Sequence, residues 1–244
     1  MIEQPKISAV YKLGQSYAVY GNWGRTFQTG VGTAAYKVNQ SADLTPSINE
    51  GWEAGVKFRL LDRVEGRVAL WQQKASNETR RKLNDPANDA ENIGATRRRG
   101  LDIQVNAQPT PQLGAWVGVA IQRSRIVATE AASVATVGNQ IDHVPQVLYN
   151  LGADYKADDR LRLSASMTGQ SSYYLERSNR SGTFGGHALT NLSATWRAND
   201  KVDVVLQVKN AANRYYEYVW SDGAQSLHAP GVPRNVNLML TARF

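Results

Sequence analysis

The segment Asn235-Val236-Asn237-Leu238-Met239-Leu240-Thr241-Ala242-Arg243-Phe244 decides the fold. Val236, Leu238, Leu240, Ala242 and Phe244 alternate with Asn235, Asn237, Met239, Thr241 and Arg243. An extended chain with this period of two has one apolar face and one mostly polar face. The same alternation recurs at Leu161, Leu163, Ala165 and Met167, and at Val147, Tyr149, Leu151 and Ala153. It returns at Leu101, Ile103, Val105 and Ala107, and at Val202, Val204, Leu206 and Val208. Working outward from these runs predicts eleven strands near 5–13, 16–27, 49–61, 64–78, 94–108, 113–127, 146–157, 160–175, 186–198, 202–219 and 232–244.

The connections divide into two classes. Gly14-Gln15, Asp62-Arg63, Pro109 to Gln112, Asp158-Asp159 and Asn199 to Lys201 are tight, and they alternate with long polar stretches near 28–48, 79–93, 128–145, 176–185 and 220–231. Successive connections of an antiparallel meander lie at opposite ends, so the turns gather on one side and the loops on the other. The expected fold is therefore all-β: a portion of an antiparallel up-and-down transmembrane β-barrel, about 11 strands with short periplasmic turns and long extracellular loops. A soluble sandwich predicts strands every 8–12 residues, whereas strand plus connection here averages about 22, enough to cross an apolar band of roughly 25 Å and continue beyond it. Tyr11, Tyr155 and Trp196 near the turn ends, with Trp23, Tyr173 and Trp220 toward the loop ends, read as two aromatic girdles.

Composition agrees with that placement. Tyr (11) and Trp (6) outnumber Phe (4), so most aromatics carry a polar tip suited to an apolar–wet boundary. The net charge of +7 favours anionic partners. With 0 Cys, disulfide scaffolds, cysteine zinc sites and a cysteine nucleophile are excluded. No run approaches the roughly 20 apolar residues of a membrane-spanning helix, and Met1-Ile2-Glu3-Gln4-Pro5 lacks a signal-peptide pattern.

Several segments resemble strand signatures of one family. Pro230-Gly231-Val232-Pro233-Arg234, followed by a strand ending on Phe244, resembles the closing strand of TonB-dependent outer-membrane (ferric siderophore) receptors. Leu206 to Lys209, Asn210-Ala-Ala-Asn213-Arg-Tyr215-Tyr216, is similar to their penultimate strand. Pro46 to Phe58, with Asn49, Trp52, Glu53, Gly55 and Lys57, together with Arg99-Gly100-Leu101-Asp102-Ile103 and Tyr17 to Phe27, resembles three further strands in the family's order. The resemblance implies a bacterial outer-membrane location beside lipid and lipopolysaccharide, and uptake of a ferric siderophore or similar anionic chelate as cargo, without a resident cofactor or metal. It implies that Phe244 is read by barrel-assembly machinery. Family members carry a plug domain, a TonB-contacting box and 22 strands, for which this chain has no room. The expectation is the C-terminal half of the barrel over residues 1–244, touching TonB only through a plug region supplied elsewhere, with an N-terminal half-barrel chain as partner. A self-contained outer-membrane pore or barrel enzyme is the rival reading, and a soluble carbohydrate-binding β domain is the third.

Three clusters are candidates for ligand contact. Arg80, Arg81, Lys82 and Arg98 flank one long loop, and arginine forks grip carboxylate, catecholate or phosphate oxygens. Face counting from Leu101 turns Arg98 inward and Arg97 and Arg99 outward, unless a bulge at Gly100 reverses them. Tyr173, Tyr174, Arg177 and Arg180 form the second cluster, and Tyr218, Trp220 and His228, beside Tyr215 and Tyr216, the third. Aromatics beside cations suit a planar anion. Individually, the arginines also suit lipopolysaccharide phosphates or solvent, and the aromatics suit a girdle. His143, His187 and His228 follow no metal-binding spacing. No Gly-x-Ser-x-Gly elbow or phosphate-binding glycine loop is present, so no enzyme is expected. The basic residues are scattered over separate loops with no recognition fold, so no nucleic-acid partner is expected either.

Overall fold

A computed structural model describes residues 3–28, 46–81, 90–129, 135–221 and 226–243. Its strands are β1 (Lys6–Leu13), β2 (Tyr17–Gln28), β3 (Ser47–Leu60), β4 (Val64–Arg81), β5 (Ala90–Ala107), β6 (Leu113–Ala128), β7 (Val147–Lys156) and β8 (Leu161–Gln170). There follow β9 (Tyr173–Tyr174), β10 (Thr183–Phe184), β11 (His187–Asn199), β12 (Val202–Lys209), β13 (Glu217–Ser221), β14 (Ser226–Pro230) and β15 (Asn235–Ala242). An 11-stranded sheet runs β1-β2-β3-β4-β5-β6-β7-β8-β11-β12-β15, every neighbour antiparallel. These are the eleven strands that the alternation predicts, and one open sheet, rather than two packed layers, sets aside the sandwich.

The tight turns have local causes. Leu61 and Asp62 both take φ 51° between β3 and β4, as a type I′ hairpin turn requires. The Asp158 carboxylate accepts the Arg160 and Leu161 N–H groups at 2.7 and 2.8 Å, and these bonds hold its pKa below the usual carboxylate range.

Three predicted strands are shorter than the pattern suggests. The run expected over 160–175 leaves the main sheet after Gln170, and Tyr173–Tyr174 pairs instead with Thr183–Phe184. The run expected over 202–219 stops at Lys209, because Asn210 turns to φ 48°. The buried Asn210 side chain then ties the loop together: its amide donates to the Arg214 and Val232 carbonyls, and its Oδ1 accepts the Arg214 N–H at 2.8 Å. Glu217–Ser221 re-forms as a separate hairpin with Ser226–Pro230. The last strand begins at Asn235 rather than 232, and Phe244 lies outside the described residues.

Register aligns side chains into rows across the sheet. Ala54, Leu70, Leu101, Ile121 and Val147 form one outward row. Leu70 is 56% exposed, Ile121 45% and Leu238 68%, values foreign to a soluble core. Tyr11, Tyr155 and Trp196 stand exposed near the turn ends, and Trp23 and Trp52 near the loop ends. The upper girdle therefore rests on Trp23 and Trp52. Tyr173 and Trp220 lie in the small hairpins outside the main sheet.

The opposite face is polar and internally bonded. Glu53 accepts the Tyr20 hydroxyl at 2.5 Å and an Arg67 N–H at 3.5 Å, the Trp71 indole donates to Asp102 at 3.1 Å, and Gln73 donates to Asn49 at 3.2 Å. The compact apolar core sits apart from both faces, at the loop end, where Tyr173, Leu175 and Val219 pack with Phe184.

Among the described residues, strands β1 and β15 pair on one side only, and every residue of each is exposed.

The outward rows predict that the chain stays monodisperse only in detergent or bilayer, because so large an apolar surface far exceeds a soluble monomer's tolerance. Size-exclusion chromatography checks this, and a stable monomer in plain buffer would contradict it. The loop core predicts that Tyr173→Ala costs about 3–5 kcal/mol locally, as for other buried aromatics. Amide exchange should quicken at Tyr174, Phe184 and Val219 while β5 and β6 stay protected.

Candidate ligand-binding site at the long-loop end

The second and third sequence clusters become one in space. The β9–β10 and β13–β14 hairpins meet through Tyr173, Phe184 and Val219. Tyr173 is 7% exposed, so its ring supports the cluster from within, and burial raises its pKa. Around it, Tyr174 and Arg177 are half-buried, Arg180 and His228 are exposed, and Tyr218 is 48% exposed. Trp220 pairs opposite Leu227 in the β13–β14 hairpin.

Polar bonds lock two loop segments together, 139–143 and 174–179. The Asn139 amide donates to the Arg177 and Ser178 carbonyls at 2.8 and 3.1 Å. Gln140 and Asn179 exchange bonds at 2.7 and 3.0 Å. The His143 N–H donates to the Tyr174 carbonyl at 2.8 Å. Segments far apart in sequence thus form one platform.

All three histidines meet aromatic rings there. His143 lies 5.5 Å from Tyr173, His187 4.9 Å from Tyr216, and His228 6.5 Å from Phe184, edge-on. Tyr216 meets Tyr218 at 5.9 Å and rests over Gly231, where a Cβ would strike its ring. This explains the glycine of Pro230-Gly231-Val232-Pro233 in steric terms. Glu217 accepts the Tyr215 hydroxyl at 3.1 Å, raising the Tyr215 pKa, and lies 3.2 Å from His228 Nδ1. Among the described residues no three His, Asp or Glu side chains converge as a metal site.

The first cluster divides. Arg98 faces inward, and Gly100 pairs regularly with Trp71 and Gln122, so no bulge reverses the faces. The register shifts fall instead at Ala95/Thr96 and between Ala75 and Thr79. Arg98 does not offer a free fork: it grips Glu78 in two bonds of 2.6 and 2.8 Å, beside the Thr96 hydroxyl, which also donates to Glu78. Arg80 and Arg81 extend β4 opposite Glu91 and Ala90, and Lys82 lies outside the described residues. Sequence reasoning missed Phe184, Val219, Glu217 and His143 as parts of this platform. Their only local signals were the paired aromatics Tyr173-Tyr174 and the glycines at Gly182 and Gly185, which take positive φ around β10.

The chain matches the family described as TonB dependent receptor-like, beta-barrel over residues 3–211. No curated protein matches it. Among solved structures, it is similar to the ferric-catecholate import receptor Fiu of E. coli K12, with a TM-score of 0.76 and 23% identity, over 98% of this chain and 34% of that one. It is also similar to the ferric citrate transporter FecA, with a TM-score of 0.81 and 21% identity, over 99% and 38%. The siderophore receptor PiuA of Acinetobacter baumannii gives 0.80 at 17% identity, over 97% and 35%. At these identities the likeness is one of fold, and the chain spans just over a third of those structures' length. The alternating strands, the open eleven-stranded sheet and the match over most of its length place the chain in the TonB-dependent receptor β-barrel family.

Proposed function

We propose that this chain forms the C-terminal half of the barrel of an outer-membrane receptor that takes up a ferric siderophore or a similar anionic chelate. The family membership carries this reading, and the loop-end platform supports it. Tyr174, Arg177, Arg180, Tyr218, Trp220 and His228 come from two hairpins that meet at the end where an extracellular ligand would arrive. Aromatic faces would pack against the chelate while the arginines neutralise it. Arg80, Arg81 and Lys82 would add an attractive field at the mouth, focusing anions toward it. Coupling to TonB would run through a plug region in the lumen, so this chain's part is to bind and to form half the wall. It acts as a binding and transport element, not as an enzyme.

Closure supports a half-barrel over a self-contained pore. With eleven antiparallel strands, β1 and β15 run in the same direction, and a seam between them would be parallel, unlike bacterial single-chain barrels.

Replacing Arg80, Arg81 and Lys82 with Gln should weaken binding of an anionic ferric chelate and flatten its dependence on salt, since exposed charge is screened over about 8 Å at physiological ionic strength. Titrations at two salt concentrations read both effects, and unchanged affinity would return these residues to a solvated role. Expressed alone, the chain should transport nothing. Co-expression with a plug-containing N-terminal half should restore heat-modifiable mobility and chelate uptake. Uptake by this chain alone in a receptor-deficient cell would defeat the half-receptor reading.

A further inference from the structure

The β13–β14 hairpin holds a polar cluster that packing does not account for. Glu217 and Val219 share one face of the hairpin with His228, which pairs opposite Val219. Val219 is buried in the loop core, whereas the polar groups beside it converge on a single atom. Glu217 Oε2 lies 3.1 Å from the Tyr215 hydroxyl and 3.2 Å from His228 Nδ1. Tyr215 and His228 are both exposed, and hydrogen bonds so open to water add little to a fold. The hairpin is already fixed by its own ladder and by the Asn210 bonds to Arg214 and Val232. The trio is thus spare as structure, yet it is oriented: Phe184 meets the His228 ring edge-on at 6.5 Å, opposing the pull of the carboxylate.

The spacing fits the coordination shell of a metal ion. Two donors bonded to one ion at about 2.1 Å, near a right angle, stand about 3 Å apart. A phenol oxygen, a carboxylate oxygen and an imidazole nitrogen already approach that spacing. With the phenol deprotonated the donors carry two negative charges, and hard oxygens with one imidazole suit ferric iron, for which tyrosine serves as a ligand in proteins. Histidine spacing along the chain does not reveal such a site, because the hairpin brings Glu217 to His228 and the third donor is a tyrosine.

We propose that Tyr215, Glu217 and His228 form a ferric-ion site that completes the coordination of a partly filled chelate. On binding, the Tyr215 phenol releases its proton to solvent, and the imidazole, with its proton on Nε2, presents Nδ1. Tyr215 Oη, a Glu217 carboxylate oxygen and His228 Nδ1 then displace water from the ion, which stays ferric throughout. Half of an octahedral shell remains for oxygen donors of the chelate. The proposal rests on the uptake reading above and deepens it: the arginines and aromatic faces hold the chelate, the trio holds its metal, and chelates with open positions are preferred to saturated ones.

The test uses the full chain in detergent micelles, titrated with ferric nitrilotriacetate, a chelate that leaves positions open, and followed by visible absorption. Coordination by Tyr215 should raise a tyrosinate-to-iron charge-transfer band that saturates at one iron per chain. Tyr215→Phe should abolish the band, and Glu217→Gln and His228→Gln should each weaken the fitted affinity at least ~10-fold. Tyr155→Phe, at the turn end, should leave it unchanged, and circular dichroism confirms strand content in every variant. No band in the wild type, a band that survives Tyr215→Phe, or full affinity in both Glu217→Gln and His228→Gln would each overturn the proposal. Binding of an anionic ferric tris-catecholate, whose positions are filled, is read by quenching of tryptophan fluorescence and separates the two readings. A chain that binds it but gives no band with ferric nitrilotriacetate refutes this site alone, whereas one that binds neither tells against the uptake reading as well.

Discussion

The lateral main-chain ladder is the constraint on which everything else depends. Where no water is available, each unpaired N–H or C=O costs several kcal/mol, so strands survive only when both sides are bonded. From β2 to β12 the sheet meets that demand continuously, and the side chains are freed to serve two media. Outward rows can then be apolar without being buried by protein, while inward rows carry Glu53, Arg67, Trp71 and Asp102 in mutual hydrogen bonds. Apolar exposure and polar enclosure are two consequences of one backbone requirement.

Beyond the ladder the chain must satisfy its polar groups by other means, and asparagine supplies them. Asn139, Asn179 and Asn210 each bond main-chain groups far from themselves, and Asn179 and Asn210 adopt positive φ where asparagine is tolerated. These bonds let loop segments form a fixed platform around a very small apolar core. A surface tied in this way would lose less entropy on binding the ligand proposed above.

The strands were legible because alternation is a local property. Leu238, Leu240 and Ala242 reveal their face without knowledge of any neighbour, and the tight turns at Asp62 and Asp158 carry their own chemistry. Arg98 was placed inward by parity alone, and register bears this out. Its grip on Glu78 was not legible, because the register shifts beside Ala75 and Ala95 set which side chains meet. The strand ends at Gln170 and Lys209 were hidden for a similar reason: Tyr173-Tyr174 and Tyr218 continue a plausible strand pattern, but their partners Phe184 and Val219 belong to hairpins formed only in three dimensions. The joining of two aromatic clusters around Tyr173 is therefore a tertiary fact.

The two free edges also restrict what can complete the sheet. Two copies related by an axis along the barrel would set β15 of one beside β1 of the other in the same direction, giving two parallel seams. Two copies related by an axis across the barrel would bring β1 to β1 and β15 to β15 antiparallel, but one set of long loops would then face the opposite side of the membrane. Neither arrangement keeps an antiparallel ladder and a single loop side. A complement that does both must begin and end with strands running against β15 and β1, and so must contain an odd number of strands. A second copy of this chain has an odd number, but closure also requires its strand directions to be reversed while its loops stay on the same side. Only a sheet whose first strand ascends to the loop end as β1 descends from it meets that condition, which makes strand direction, rather than strand number alone, the property that any completing sheet would have to match.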